Sequence, residues 1–227
     1  MKYVDAHCHL DSGPFPDWVA VAIANATCPA DWGTVSARTG EGGIFGAIGI
    51  HPWYISDLPV NWAEQMCELL AVNPALMVGE IGLDKNRPDM AVQLDVFRTQ
   101  MQMASEFGRV AHIHCVGAWD RVLMVLSEFA PPAIVFHDFS ASPEIIRALA
   151  KYNAYFSFGR AICNPVRRRA QNALRTVSEC RILSESDTNS PANVVPVVVK
   201  MSEILARPLA DVTETIYNNA MELLKNG

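Results

Sequence analysis

Eight short apolar runs rich in β-forming residues recur along the chain, at 3–6, 18–24, 44–50, 76–81, 110–114, 133–137, 154–158 and 182–185. Most are separated by stretches with helical periodicity. The clearest is 87–107, where Met90, Leu94, Phe97, Met101 and Ala104 recur at steps of four and three and mark one core-facing stripe. Ser142-Pro143 before 144–152 and Asn164-Pro165 before 166–177 each place a cap and then a proline at a helix start. Residues 211–225, with Val212, Ile216, Ala220 and Leu223 on one face, predict a closing helix. Strand and helix in alternation give a parallel sheet, and eight strands in that order favour a closed α/β barrel of TIM-like (β/α)8 type. No GxGxxG follows the first run, which weighs against an open dinucleotide-binding sheet. Between Asp11 and Trp18 there is no room for a helix, so the barrel is expected to be distorted, with its first crossover helix missing. Without repeats or linkers, residues 1–227 are expected to form a single domain.

Composition narrows the function classes. At 227 residues, 50% hydrophobic and 19% charged, the chain has material for a large core. Its net charge of −6 gives no global footprint for nucleic acid, so any such contact has to be local. The one dense basic run, Arg167-Arg168-Arg169, is expected on a solvated helix face. Six cysteines without a CxxC pair suggest reduced, buried thiols, and Met1-Lys2 leads straight into a strand without an apolar signal core. No run of about eighteen apolar residues occurs, so a soluble, cytoplasmic protein with no membrane association is expected.

In a barrel of this kind chemistry gathers at the C-terminal ends of the strands. The residues expected there are His7 and His9 on the first strand, His51 on the third, Glu80 on the fourth, His114 on the fifth, His137 on the sixth and Asp187 after the eighth. Of six histidines only His112 is not at a strand end, and it lies two residues before one. His7 and His9, two apart in an extended segment, share a face and can chelate one cation, while Cys8 points the other way. Taken singly, each residue has a plain structural use: a salt bridge for Glu80, a core hydrogen bond for His137, a turn cap for Asp187. Together at one rim they form a ligand set. Four imidazoles and two carboxylates suit Zn, Mn, Fe or Co and are usable by Mg. Six ligands exceed one tetrahedral ion, whereas two ions sharing a bridging carboxylate use them all.

These segments, DAHCHLD (5–11), GIHPWY (49–54), GEIGLDK (79–85), HIHCVGAW (112–119), HDFSAS (137–142) and LSESD (183–187), resemble the TatD family of metal-dependent hydrolases, in that family's order and at compatible spacing. The resemblance implies a TIM-like barrel with one divalent ion held by His7, His9, Glu80 and Asp187 and a second by Glu80, His114 and His137. Glu80 bridges. It also places His51 on the substrate side and gives Asp11 a loop-supporting role rather than a ligand's. His112 stands where the family usually has a smaller residue and shares a face with His114. Two readings stay open for it, a partner behind the metal ligands or a hydrogen-bonded core histidine.

The resemblance implies hydrolysis of phosphodiester bonds, with DNA as substrate and two divalent ions (Zn, Mg or Mn) as cofactor. Asp187 and Glu80 are the expected catalytic residues and His51 the expected substrate contact, and Arg160, just after the seventh strand, is a further candidate for meeting substrate phosphate. Amidohydrolase-like C–N or ester hydrolysis is the alternative, although such barrels usually carry a lysine where this chain has Glu80. A barrel that binds metal without turnover is a further one. Compared with the family, the chain lacks the first helix and has only TNSPANVV after Asp187, so a more open cleft is expected. The acidic charge predicts weak, salt-sensitive binding to short or single-stranded ends.

Overall fold

All eight expected strands form, and each pairs in parallel with the next in sequence. They are β1 (Tyr3–Cys8), β2 (Val19–Asn25), β3 (Ile44–Ile48), β4 (Met77–Asp84), β5 (Ala111–Val116), β6 (Ile134–Phe136), β7 (Ala154–Phe158) and β8 (Ile182–Ser184). The computed structural model describes residues 1–10 and 16–226. Helices α1 (Pro29–Arg38), α2 (Trp62–Val72), α3 (Met90–Glu106), α4 (Trp119–Leu126), α5 (Pro143–Leu149), α6 (Arg168–Thr176), α7 (Val194–Leu205) and α8 (Leu209–Leu223) connect and surround them. Hydrogen bonds carry β8 back to β1: Ser184 Oγ donates to the Val4 carbonyl at 2.6 Å and the Asp187 N–H to the His7 carbonyl at 3.0 Å. The result is a TIM-like barrel. Among the described residues no helix lies between β1 and β2; the expectation of a missing helix falls largely on 11–15, outside them, as does the loop role given to Asp11.

Packing follows the periodicities. On α3, Phe97, Met101 and Ala104 are buried, and apolar residues of every strand join one core cluster. Cys8 turns away from its histidine neighbours into a small cluster with Val19 and Ala22 of β2. The other cysteines are less enclosed than expected, and Cys163 and Cys180 are exposed. Helix α6 starts later than its proline suggested. Asn164 Oδ1 accepts from the Val166 N–H at 3.0 Å, which closes a turn, and the helix begins only at Arg168. Arg167, Arg168 and Arg169 are exposed there. No helix of the described residues is long and apolar enough to cross a membrane.

Two strands are irregular where it matters. On β1, Asp5 pairs with Ala22 and Cys8 with Ala24, so Ala6 and His7 together oppose the single residue Ile23. On β4, Val78 pairs with Ala111 and Ile81 with Ile113, so Gly79 and Glu80 together oppose His112. Both are bulges, which re-aim a side chain relative to its ladder. Glycine is required at two positions of β4: a Cβ on Gly79 would come within 2.5 Å of the His112 Cβ, and one on Gly82, at φ +145°, would collide with the His114 carbonyl.

Candidate metal centre

Side chains from strands β1, β4 and β5 and from the loops that follow β1, β3, β6 and β8 converge on a single point. Glu80 is buried and, instead of ending its strand, lies four residues before the end of β4. Its N–H leaves the ladder for the Ala26 carbonyl at 2.8 Å. One carboxylate oxygen, Oε2, faces His7 Nε2 at 3.3 Å and His9 Nε2 at 3.8 Å. The other, Oε1, faces His137 Nε2 at 2.7 Å, His114 Nδ1 at 3.2 Å and His51 Nε2 at 3.3 Å. Asp187 Oδ1 completes the first side, 3.1 Å from His9 Nε2 and 3.8 Å from His7 Nε2. Three overlapping triads therefore have ligand atoms within 4.8 Å of one another: His7, Glu80 and His137; His7, His9 and Asp187; and His51, Glu80 and His114.

Hydrogen bonds behind the rings decide which nitrogens are free. His9 Nδ1 lies 2.9 Å from the Asn25 carbonyl, which can only accept, so Nδ1 carries a proton; Nε2 is the nitrogen turned inward, donating to Asp187 Oδ1 at 3.1 Å, and it is the one that would ligate a cation after giving up its hydrogen. His137 Nδ1 faces Glu185 Oε1 at 3.6 Å and His114 Nε2 faces Asp84 Oδ2 at 3.8 Å, so both rings are backed by carboxylates. His51 is the opposite case. Its Nδ1 accepts from the Trp53 N–H at 3.2 Å, so Nε2 bears the proton and points at Glu80 as a donor. A neutral His51 in that tautomer has no lone pair for a cation on this side. His7, fully buried, has both ring nitrogens without a hydrogen bond, although Nε2 faces two carboxylates. An unsatisfied buried nitrogen costs free energy, and a divalent cation is the group that such a donor set fits.

Electrostatics agree with the geometry. Burial alone would raise the Glu80 carboxyl, but the charges of His137 and His7 and hydrogen bonds from His114 and His137 hold it well below the usual range. Asp187 opposes burial in the same way through His9 and is also held low. Burial, reinforced by the neighbouring imidazoles, lowers His51 to about 3, so it is neutral at pH 7. Asp187, at φ 51°, adopts a left-handed backbone that costs a non-glycine residue about 1–3 kcal/mol. That turn presents a half-exposed carboxylate to a cleft of about 590 Å³, lined also by His9, His51, Trp53, Tyr54 and Glu80.

His7, His9, His51, Glu80, His114, His137 and Asp187 meet here, whereas Arg160 is exposed after β7 and does not line the cleft. His112 is buried beneath the cluster, with Nε2 3.4 Å from the Met77 Sδ and Nδ1 without a partner; it backs no ligand and lacks a good hydrogen bond. Sequence reasoning passed over Glu185, Asp84 and Asp5. Glu185 is fully buried, accepts from the Ser157 hydroxyl and from the Asp138 N–H at 2.8 Å, and faces His137. Asp5 accepts from the Ser186 N–H at 2.8 Å and fixes the turn that carries Asp187. Ionisable residues within otherwise apolar strand segments were the available signal.

A parallel eight-stranded barrel with histidines and carboxylates converging at one end of its strands has the arrangement of a metal-dependent hydrolase. A model of the TatD related DNase family matches residues 4–225, and the chain belongs to that family. It is 26% identical over 198 residues to YabD of Bacillus subtilis, an uncharacterised metal-dependent hydrolase, covering 80% of this chain and 78% of that protein. It is 26% identical over 151 residues to the 3'-5' ssDNA/RNA exonuclease TatD of Erwinia billingiae, covering 64% of this chain and 58% of that one. The crystal structure of YjjV, a TatD homologue from Escherichia coli, shares the fold, with a TM-score of 0.88 over 97% of both chains at 23% identity.

Proposed function

We propose that the chain hydrolyses phosphodiester bonds in nucleic acid at a centre of two divalent cations. One cation is held by His7, His9, Glu80 and Asp187 and the other by Glu80, His114 and His137, with Zn, Mg or Mn as the candidate ions. The observation that carries the reading is the division of labour on Glu80: Oε2 faces His7 and His9, and Oε1 faces His114 and His137. A carboxylate whose two oxygens address two imidazole sets has the arrangement of a bridging ligand.

Bound divalent ions supply Lewis-acid stabilisation of developing oxyanion charge and lower the pKa of water toward about 7. The chain's own groups do the rest. Asp187 is ionised across the neutral range, so it accepts a hydrogen bond from the attacking water and orients it. Its depressed pKa suits it better to orienting than to storing the proton. Neutral His51, held in its tautomer by the Trp53 N–H, would turn its single Nε2–H from Glu80 Oε1 to a non-bridging phosphate oxygen when that carboxylate oxygen is engaged by a cation. Nucleic acid as the substrate is supported by the relative described as a 3'-5' ssDNA/RNA exonuclease. The carboxylate at position 80, in place of lysine, favours phosphodiester over amide hydrolysis.

The test is a substrate panel, comprising a single-stranded oligonucleotide, a small phosphodiester, a phosphomonoester and an amide, with Glu80→Ala and Asp187→Ala compared against wild type. Metal-dependent cleavage of the phosphodiesters, lost in both variants while circular dichroism is unchanged, is the expected result. Unchanged turnover in both variants overturns the mechanism.

A further inference from the structure

Trp53 is 51% and Tyr54 47% exposed, yet both line the cleft that holds the carboxylate and histidine cluster. They lie on the short turn Pro52–Tyr54 that follows His51. The indole is fixed as well as exposed. Its Nε1–H donates to Asp84 Oδ2 at 2.8 Å, and the Arg87 guanidinium carbon sits over the ring, 4.0 Å from its centroid. The His51 ring meets it edge-on at 5.3 Å, and His51 Nε2 is 3.3 Å from Glu80 Oε1. One imidazole thus separates the indole from the carboxylate at the heart of the site.

We propose that Trp53 is a stacking platform for the base of the nucleotide adjoining the scissile phosphate, an inference that rests on the nuclease reading above. A base has a π-face whatever its identity, so an anchored, exposed indole recognises it without sequence preference. Anchoring the ring beforehand removes the ordering cost that a loose surface side chain would incur on binding. Arg87 places a positive charge against the platform in a chain of net charge −6, where the strand's next phosphate gains from it. A base inside a duplex has both faces covered by its neighbours, so the platform selects single-stranded or frayed ends.

The experiment compares wild type, Trp53→Ala and Trp53→Phe on a short single-stranded oligonucleotide and on copies carrying an abasic tetrahydrofuran residue on either side of the scissile bond. Trp53→Ala is expected to raise KM for the intact strand about tenfold with little change in kcat. Phe, which keeps a ring but loses the N–H, retains most of the wild-type KM. An abasic residue on one side raises the wild-type KM to a similar extent, and Trp53→Ala adds no further loss on that strand. The inference is overturned if Trp53→Ala leaves KM unchanged in an active enzyme, if Phe is as impaired as Ala, or if the losses add at both abasic positions. A wild type that cleaves no oligonucleotide overturns the nuclease reading itself, and this inference with it.

Discussion

His7 and Glu80 meet at 3.3 Å between Nε2 and Oε2, and each sits where its strand inserts an extra residue against its neighbour. The ladders of β1 and β4 are interrupted at the two positions whose side chains must leave the regular inward pattern to share one point. Burial would protonate a carboxyl this deep, and the surrounding imidazoles prevent it. The cluster is therefore an anionic carboxylate ringed by nitrogen donors, one of which, His7 Nε2, is otherwise unsatisfied.

Metal should stabilise the fold, because the donors are assembled only in the native chain. At a free concentration of Zn or Mn about 100-fold above its dissociation constant, binding to the native state alone contributes about 2.7 kcal/mol. In a chain of this size that raises Tm by about 5–10 °C. Differential scanning calorimetry with and without chelator measures it, and an unchanged Tm contradicts assembly of these donors around a cation.

His9 and His51 should separate cleanly. The Asn25 carbonyl holds the His9 Nδ1–H, which leaves Nε2 as the nitrogen a cation can take, whereas the Trp53 N–H occupies His51 Nδ1 and leaves a proton on its Nε2. His9→Ala is expected to lose metal equivalents by elemental analysis. His51→Ala is expected to keep them and lose roughly 10²-fold in kcat through the missing donor. Loss of metal from the His51 variant shows that the nitrogen roles are reversed.

Glu185 should matter although it lies behind the ligands. Glu185→Gln keeps an amide oxygen to accept from the Asp138 N–H, turns its NH2 to the Ser157 hydroxyl oxygen, and removes the charge facing His137 Nδ1. Metal affinity is expected to fall about 10–100-fold, as measured by competition with a chromophoric chelator. Glu185→Ala additionally leaves buried donors unpaired, at about 1–3 kcal/mol in urea denaturation.

His112 sets an acid limit on stability. Burial lowers its pKa to about 3 in the fold against about 6.5 in the unfolded chain, so below pH 6.5 the unfolded state binds the extra proton. Its contribution is full above pH 6.5 and is lost as pH falls toward 3. Replacement by Leu, which needs no hydrogen bond, is expected to cost little at pH 7, because Nδ1 has no partner there. The drop in urea midpoint from pH 7 to pH 5 should then be smaller in His112→Leu than in wild type. Equal drops would mean that His112 does not titrate in this range.

The eight strands, most of the helices and the gathering of His7, His9, Glu80, His114, His137 and Asp187 were legible in the sequence, because alternation, helical periodicity and ionisable residues at strand ends are local patterns. The start of α6 is not where Asn164-Pro165 suggests, since that pair closes a turn of its own before the helix. What only the tertiary structure decided depends on neighbours distant in sequence. The bulges at His7 and Glu80 come from mismatched registers between strands, and no one strand contains that information. Which nitrogen of each histidine faces inward follows from a hydrogen bond made by another segment, as Asn25 does for His9. Glu185 looked like one acid among several in LSESD until folding buried it behind His137. Sequence sets which donors the chain owns; the barrel sets where they point, because direction is fixed only when the strands that carry them are packed side by side.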